Sequence, residues 1–457
     1  MMTNDDAFSG RPLAALARLL ETGEVRSRDL AGAACAAIAD EGREGAKIYL
    51  HHDPDQVRRA ADASDMARRA GHAAGPLAGL PISIKDLFDV AGEVTRAGST
   101  VLSDSAPADR DAPVVARLKA AGAVLTGRTN MTEFAFSGLG LNPHYGTPGN
   151  SRDRERIPGG SSSGAAISVT DGMAAAAVGS DTGGSVRIPA ALTGLAGFKP
   201  TRTAVPLTGV LPLASSLDSI GPLAPTVACC ALLHAVMSGT DPSALRPMPV
   251  AGLRLGVPRN HVLEALDSTV ARRFDHALSV LGKAGARLED IQVPEYDALS
   301  ALNAKGGLAA PEAFAWHRDL LARRGGGYDP RVRLRIQRGE TVPVADYIDT
   351  LAARPRLKES FEARLSRFDA FIMPTVPVVA PEIAPLEADD DLYIRTNQLI
   401  LRNPSTVNFL DGCAVTVPCH DSDDLPVGLM LVGPAGGDRR LLEVAAAVEP
   451  LVAPHSA

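Results

Sequence analysis

Residues 80–85 read LPISIK, and in this stretch the leucine and both isoleucines share one face while Ser83 and Lys85 lie on the other. An alternation with a period of two is typical of a β-strand. Residues 111–121 follow as an amphipathic helix, and residues 123–126 form a second short apolar run. A strand, a helix and a strand in succession predict a sheet that is covered by helices.

The same alternation continues downstream. The predicted elements are a strand at 253–258, a helix at 269–284, a strand at 288–293, apolar runs at 368–373, 414–418 and 427–432, and a closing helix at 439–447. No internal repeat and no Pro-rich or Ser-rich linker divides the chain. The pattern therefore predicts one large α/β domain.

Two regions depart from this alternation. Residues 12–72 predict a helical arm with three helices, at 12–21, at 28–39 after a candidate N-cap at Ser27, and at 55–70. Residues 300–345 contain three consecutive glycines and few strong apolar periods. They are interpreted as an irregular excursion that faces the substrate.

Composition narrows the class of protein. Of the 457 residues, 45% are hydrophobic and 22% are charged, which is typical of a water-soluble globular protein with a large core. The formal net charge is -7 and the sequence has no long basic run, so it gives no indication of a surface that binds nucleic acid or an acidic membrane. A small molecule is therefore the expected partner.

Targeting signals and cysteines indicate the cytoplasm. The start of the chain, with Asn4, Asp5 and Asp6, lacks the basic and apolar segments of a signal peptide. The most apolar segment, residues 165–178, consists of small residues and is too short to span a membrane. Five cysteines without C-x-x-C spacing predict buried free thiols rather than a disulfide or metal site.

The segment IPGGSSSG at residues 157–164 precedes an alanine-rich helix and has three interpretations. It is a flexible loop or helix cap, a phosphate-binding loop, or a serine-rich active-site turn. The Lys-Ser/Thr ending of a P-loop is absent, which weakens the second interpretation.

The segment GSDTGGSVRIPA at residues 179–190 favours the active-site turn. Gly183 and Gly184 permit backbone conformations that aim successive N–H groups at one point. An acyl-transfer enzyme needs such donors for the negative oxygen of its tetrahedral intermediate. Ser185 is then the candidate nucleophile, although a G-G-S turn considered alone is more often structural.

A serine nucleophile needs a base. The ten histidines are scattered, none lies in a recognisable triad segment, and the G-x-S-x-G elbow is missing. Lys85 is the other candidate, but a lysine with an ordinary pKa of about 10.4 is protonated at neutral pH. It must be desolvated to serve as a base. Considered alone, such a lysine more often lies on the solvent face of a strand.

Together these segments resemble the amidase-signature family. PISIKD at 81–86, GGSSSG at 159–164 and DTGGSVRIPA at 181–190 occur in the order and spacing of that family. The likeness extends through TNM at 129–131, EFA at 133–135, GFKPT at 197–201, SSLDSIGP at 215–222, MPT at 373–375 and LPVGL at 425–429. It covers most of the chain from about residue 79 onward.

The resemblance implies a mechanism. Ser185 is the nucleophile, Ser161 relays its proton to a neutral Lys85, and the Gly160–Ser161 peptide bond is expected to be cis. The backbone N–H groups of Thr182, Gly183, Gly184 and Ser185 are expected to form the oxyanion hole. Neither a cofactor nor a metal is required.

The resemblance also implies a fold and an organisation. We expect a single amidase-signature domain over residues 1–457, with a mixed, twisted β-sheet covered by helices on both faces. It divides into a helical arm (1–75), a catalytic core (76–240) and the remainder of the sheet (241–457), which contains the excursion at about 300–345. Pocket walls are expected at Ala135, Phe136 and Ser137 and in that excursion. A homodimer is expected from the family.

Some positions bear on the substrate. Ser163 stands where many members have glycine, and Ser151 stands where proline is frequent, but both lie beside the expected site. Residues 402–411, RNPSTVNFLD, resemble stand-alone amidases and hydrolases of urea derivatives more than the glutamine-hydrolysing component of the tRNA-dependent amidotransferases. That component generally has glutamine at the position of Ile188.

The sequence therefore predicts an amidohydrolase that cleaves C–N bonds of small amides, including aryl amides and carbamates. The alternatives are the glutamine-hydrolysing component of a tRNA-dependent amidotransferase, a hydrolase of urea derivatives, and a catalytically inactive scaffold that keeps the fold.

Overall fold

A computed structural model describes residues 10–72 and 75–453, so Asn4, Asp5, Asp6 and His455 lie outside the described residues. Within them, eleven strands form one sheet. The strands are β1 Tyr49–His51, β2 Pro81–Lys85, β3 Val124–Thr129, β4 Ala176–Asp181, β5 Ala196–Lys199, β6 Ser219–Ala224, β7 Arg254–Pro258, β8 Arg287–Ile291, β9 Ala370–Pro374, β10 Cys413–Pro418 and β11 Gly428–Gly433.

The sheet is mixed, as predicted. Its strand order is β1-β3-β2-β4-β6-β5-β10-β11-β9-β7-β8. Strand β2 runs parallel to both β3 and β4, and β7 runs parallel to both β8 and β9. The strands between these two parallel groups, from β4 through β6, β5, β10 and β11 to β9, pair in antiparallel fashion.

The described helices are α1 Leu13–Thr22, α2 Ser27–Ala39, α3 Gly45–Ile48, α4 Pro54–Arg69, α5 Pro113–Ala120, α6 Ser163–Thr170, α7 Arg187–Thr193, α8 Val227–Ser238, α9 Ser268–Lys283, α10 Pro294–Ala304, α11 Ala309–Arg324, α12 Pro330–Gln337, α13 Val344–Leu365, α14 Ile383–Ala388, α15 Asp390–Leu410 and α16 Asp438–Val452. The three predicted helices of the arm are confirmed. Ser27, however, is the first residue of α2 rather than its N-cap, and its hydroxyl donates to the carbonyl of Gly79.

Helices cover both faces of the sheet. On β4, Ala176 and Val178 pack into the core cluster that contains residues of α8 and α16, whereas Ala177 packs with residues of α6 and α7. Successive side chains of a strand point to opposite faces, so the two helix layers lie on opposite sides of the sheet. The expectation of a sheet covered on both faces is confirmed.

The interpretation of residues 300–345 as irregular is wrong. Helices α10 to α13 occupy most of this region, with short turns between them. Each of the two middle helices buries only a pair of residues one turn apart, Ala313 and His317 in α11 and Val332 and Ile336 in α12. A buried face this narrow produces too weak an apolar period to be recognised in the sequence.

Strands β4, β5 and β6 were not predicted, although they lie in the middle of the sheet. All their residues are buried, and many are Ala, Gly or Ser. A strand buried on both faces shows no alternation of apolar and polar residues. The five cysteines are buried and free, as predicted. None of the helices in the described part of the chain is both long and apolar enough to cross a membrane.

Candidate active site

Lys85 lies at the carboxyl end of β2, between β3 and β4, and its side chain is completely buried. Its Nζ atom donates hydrogen bonds to Ser161 Oγ at 2.7 Å and to Ser180 Oγ at 2.8 Å. The alternative of a lysine on a solvent-facing strand is therefore excluded. The strand holds Lys85 rigidly beneath the serine-rich turn.

The environment of Lys85 favours its neutral form. Burial lowers the pKa of the Lys85 ammonium to about 7, against the opposing effect of the negative charges of Asp181 and Asp218. No carboxylate within the described residues forms an ion pair with Nζ, whose protein partners are two hydroxyl groups. A substantial fraction of the amine is thus unprotonated near neutral pH, and its lone pair can accept a proton.

Ser161 lies in the turn that leads into α6. The Gly160–Ser161 peptide bond is cis, which confirms the prediction. The carbonyl of Ser161 accepts the backbone N–H of Thr132 at 3.1 Å, and the next backbone N–H, of Ser162, donates to the carbonyl of Ser185 at 3.3 Å. These bonds place the turn that carries Ser161 directly against the turn that carries Ser185.

Ser185 lies between β4 and α7, in a turn that depends on Gly184. The φ angle of Gly184 is +127°, a conformation that residues with a side chain rarely adopt. A Cβ at this position would come within 2.6 Å of the side chain of Pro404 and 2.7 Å of that of Ile188. The turn therefore requires glycine, and Ser185 is held at the edge of a cavity with little exposure.

The turn is fixed from below by Asp181, the last residue of β4. Its carboxylate accepts the Nε and Nη2 donors of Arg187 at 3.0 and 2.9 Å, and the Nδ2 donor of Asn408 at 2.9 Å. Burial alone would raise the pKa of Asp181, but the Arg187 guanidinium holds it well below its usual range. Neither Asp181 nor Asn408 was singled out in the sequence.

One predicted oxyanion donor is otherwise engaged. The backbone N–H of Gly184 donates to Asp181 Oδ1 at 2.8 Å, because this buried carboxylate draws the donors of the turn toward it. In the described part of the chain, the N–H groups of Thr182, Gly183 and Ser185 have no protein acceptor. These three remain free to bind an oxygen in the cavity.

A second buried carboxylate, Asp218, supports the same turn from its other side. It accepts the Thr182 hydroxyl at 2.5 Å and the backbone N–H groups of Leu213 and Ala214 at 3.0 and 3.2 Å. Burial raises its pKa to about 6 despite these donors. Asp218 falls within one of the segments that resemble the family. Its contact with Thr182 joins residues 36 positions apart, so no local sequence pattern predicted it.

Ser185 opens onto a cavity of about 900 Å³. Thr182 and Gly183 line it together with Ala135, Phe136 and Ser137, so the predicted pocket residues lie beside the predicted nucleophile. The opposite wall comes from residues 299–310, 335–343 and 398–409. The region 300–345 thus lines the cavity as expected, but it does so with helices. No cluster of three or more metal-ligating side chains occurs among the described residues.

Comparison with known proteins shows the family of the chain. Residues 33–442 match the amidase family. The chain is 37% identical to 2-amino-5-chloromuconic acid deaminase of Comamonas testosteroni, with 88% of each chain covered. It is 35% identical to the A subunit of the glutamyl-tRNA(Gln) amidotransferase of Chloroflexus aurantiacus, with 96% of each chain covered.

A solved structure shares the fold. The crystal structure of an amidase superposes with a TM-score of 0.87 and 31% identity, covering 97% of this chain and 100% of that one. The described sheet therefore has the fold of a solved amidase. On these grounds the chain belongs to the amidase family and is a hydrolase that acts on carbon–nitrogen bonds.

Proposed function

We propose that this protein is a stand-alone amidohydrolase that cleaves small amides through an acyl-enzyme on Ser185, with Ser161 and Lys85 as its proton relay. The observation that carries the proposal is the buried Lys85, whose amine has only hydroxyl partners and reaches Ser161 at 2.7 Å. A neutral amine in this position can act as the base that a serine nucleophile needs.

The proposed reaction begins when Ser185 Oγ attacks the amide carbonyl. Its proton passes to Ser161, whose own proton passes to the lone pair of Lys85. The carbonyl oxygen becomes negative and is bound by the free N–H groups of Thr182, Gly183 and Ser185. These groups are already oriented by the Asp181 and Asp218 contacts, so little reorganisation accompanies the attack.

Collapse of the tetrahedral intermediate breaks the C–N bond. The proton on Lys85 returns through Ser161 to the departing nitrogen, which leaves as a neutral amine. Water then attacks the acyl-enzyme by the same relay and releases the acid, and Ser185 regains its proton. The net reaction converts one amide and one water into one acid and one amine.

The test is release of amine from para-nitroanilide, simple amide, para-nitrophenyl carbamate and urea-derivative substrates, run beside Ser185→Ala. Turnover that this substitution abolishes would support the proposal and sort aryl amides, carbamates and urea derivatives. An unsaturated amino diacid belongs in the panel, because one relative is a deaminase of 2-amino-5-chloromuconic acid. Turnover that survives Ser185→Ala would contradict it.

A second candidate is the glutamine-hydrolysing component of a tRNA-dependent amidotransferase. The 35% identity to such a protein over 96% of both chains favours it. Its test is whether the protein co-purifies with partner proteins from its native host and needs them for glutaminase activity. An isolated protein with its own amide turnover would count against this candidate.

A further inference from the structure

Phe134 and Ala135 lie beside the cavity and have an unusual backbone. Their φ angles are +50° and +60°, in the left-handed region that residues with a side chain rarely adopt. Such a conformation costs free energy and persists only where neighbouring contacts hold it, often at a functional site. On one side of this turn, the N–H of Thr132 donates to the carbonyl of Ser161 at 3.1 Å, and on the other side residues 135–137 line the cavity.

Glu133, the residue before this pair, is held by three donors. Its side chain has no exposed area. The Oε1 atom accepts the Ser99 hydroxyl at 2.6 Å and lies 2.8 Å from His144 Nε2, while Oε2 accepts the backbone N–H of Asp329 at 2.8 Å. Asp329 is the N-cap of α12, where its own carboxylate accepts the N–H of Arg331. One buried carboxylate thus joins the start of α12 to the turn that leads into the cavity.

Phe134 adds a packing contact to the same helices. Its buried ring has its centroid 4.4 Å from that of His317, on α11, and 5.1 Å from that of Tyr328, just before α12. His317 Nδ1 lies 2.9 Å from the Tyr328 hydroxyl, so the three rings form one cluster. The side of the cavity formed by α10 to α13, the helical wall, is therefore held by two adjacent residues of one turn.

The helical wall has other contacts with the rest of the molecule. Arg324, at the end of α11, pairs with Asp104, whose side chain is 64% exposed, and such a pair contributes little because water screens it. Near the start of α11, Glu312 accepts the backbone N–H of Ser216 at 3.0 Å. Glu133 differs from both acidic residues in its complete burial, where a lost donor is not replaced by solvent. It fixes the end of the wall at which α12 begins.

We propose that Glu133 is a positioning residue that sets the span of the cavity between Ser185 and α12, and thereby the length of acyl group that the enzyme accepts. Glu133 is not among the residues that line the cavity, so it acts through α12 and residues 135–137. A long neutral acyl chain gains its contact with α12 only when the wall is in place, whereas acetamide needs only the surroundings of Ser185. This inference rests on the proposed amidase function and adds selection by length to it.

The test uses the neutral linear amides from acetamide to octanamide. In the wild type, kcat/KM should rise about 3- to 4-fold for each added methylene until the chain reaches α12. Glu133→Gln keeps the size of the side chain but removes its charge and one acceptor oxygen. It should lower the ratio of kcat/KM between the best long amide and acetamide about 10-fold, mainly through KM. The kcat for acetamide should change by less than about 3-fold.

Two variants at Asp329 test the same contact from its other side and leave Glu133 in place. Asp329 has a φ angle of −52°, which proline can adopt, so Asp329→Pro exchanges the N–H for a methylene that faces the carboxylate. It should lower the length ratio at least as much as Glu133→Gln does. Asp329→Ala loses the capping carboxylate but keeps the N–H, so it should leave the ratio unchanged. Arg324→Gln, which breaks the exposed pair with Asp104, should also leave it unchanged.

Trp316 gives a readout that does not depend on turnover. It is the only tryptophan in the sequence, it lies on α11, and its ring centroid is 6.2 Å from that of Phe134. Glu133→Gln and Asp329→Pro should shift its fluorescence emission to longer wavelength, because a displaced helical wall exposes the ring further. Asp329→Ala should leave the emission at the wild-type position.

An unchanged length ratio together with unchanged Trp316 emission in Glu133→Gln and Asp329→Pro would overturn the inference. An equal fall for all amide lengths would also overturn it, since Glu133 would then act on the relay through Thr132 and Ser161. If Glu133→Gln does not fold, the two Asp329 variants decide by the same criteria. A wild type that turns over no amide would overturn the amidase proposal, and the Trp316 emission would then decide whether Glu133 places the helical wall.

Discussion

The two walls of the cavity differ in how they are built. The wall that carries Ser185 is buried and is made of turns that lead into α6 and α7, and the Asp181–Arg187 ion pair beneath it has no exposed side-chain area. The wall formed by α10 to α13 is partly exposed, and near it α13 presents Val344 and Ile348 to solvent at 72% and 55% exposure. The first wall is suited to fixed chemistry, and the second can change its sequence without disturbing the fold.

The most severe test of this contrast is Lys85→Ala. It should lower kcat/KM for an amide by about 10⁴-fold or more, as expected when a member of a catalytic group is removed. The measurement is single-turnover kinetics together with the rate of fluorophosphonate labelling of Ser185. Ser163→Ala is the matched control, because the buried Ser163 hydroxyl has no hydrogen-bond partner. A Lys85→Ala enzyme with more than a tenth of the wild-type rate would refute the relay.

A second test removes the charge beneath the turn. Asp181→Asn leaves the Arg187 guanidinium buried without a counter-charge, so the free energy of unfolding should fall by about 3–5 kcal/mol. Denaturant unfolding measures this loss. Asp29→Asn is the control, because its pair with Arg26 is exposed and screened by water, so its loss should change the free energy of unfolding far less. Similar losses in both variants would remove the distinction between the buried and the exposed charges.

The pH dependence of the reaction tests the buried wall that carries Ser185. Since burial lowers the pKa of Lys85 to about 7, its neutral form is lost as the pH falls below that value. The kcat/KM should therefore drop about tenfold per pH unit below pH 7 and level off above it. Asp218→Asn removes a negative charge that favours the ammonium, so it should move the profile to lower pH. A shift to higher pH would contradict this electrostatic assignment.

The smallest effect is expected at the exposed wall. Arg338 is exposed and lines the cavity just after the end of α12, where water and salt screen its charge. Arg338→Gln should change KM for an anionic amide by no more than about 3-fold, and a salt concentration of about 0.5 M should abolish the difference. Steady-state kinetics at two salt concentrations measure it. An effect that persists at the higher salt concentration would show that the exposed wall also selects the substrate.

The sequence motifs located the candidate catalytic side chains but not the residues that support them. Lys85, Ser161 and Ser185 lie in short motifs, and the structure brings Lys85 and Ser161 into direct contact. The predicted alternation at residues 80–85 implied a half-buried strand, but β2 is buried on both faces, where Ser83 also bonds to Ser168. A local sequence pattern shows which side chains share a face of a strand. Burial depends on residues that are distant in the sequence, so the pattern does not reveal it.

The supporting residues show why the rest was missed. Asn408 reaches Asp181 across 227 residues of sequence, and no local pattern at either position indicates the contact. The Gly184 N–H was expected in the oxyanion hole because the turn alone does not show which carboxylate lies beneath it. The boundaries between the arm, the core and the remainder stay a prediction.

The contact between Asp181 and Asn408, and the pairing of β5 with β10, have a consequence for synthesis on the ribosome. A nascent chain carries Lys85, Ser161 and Ser185 long before the strand and the helix that complete their surroundings have emerged. Ser185 should therefore remain unreactive until the last quarter of the polypeptide has left the ribosome. A chain that ends before Asn408 should resist fluorophosphonate labelling, and labelling of that chain would show that the residues before Asn408 assemble the site unaided.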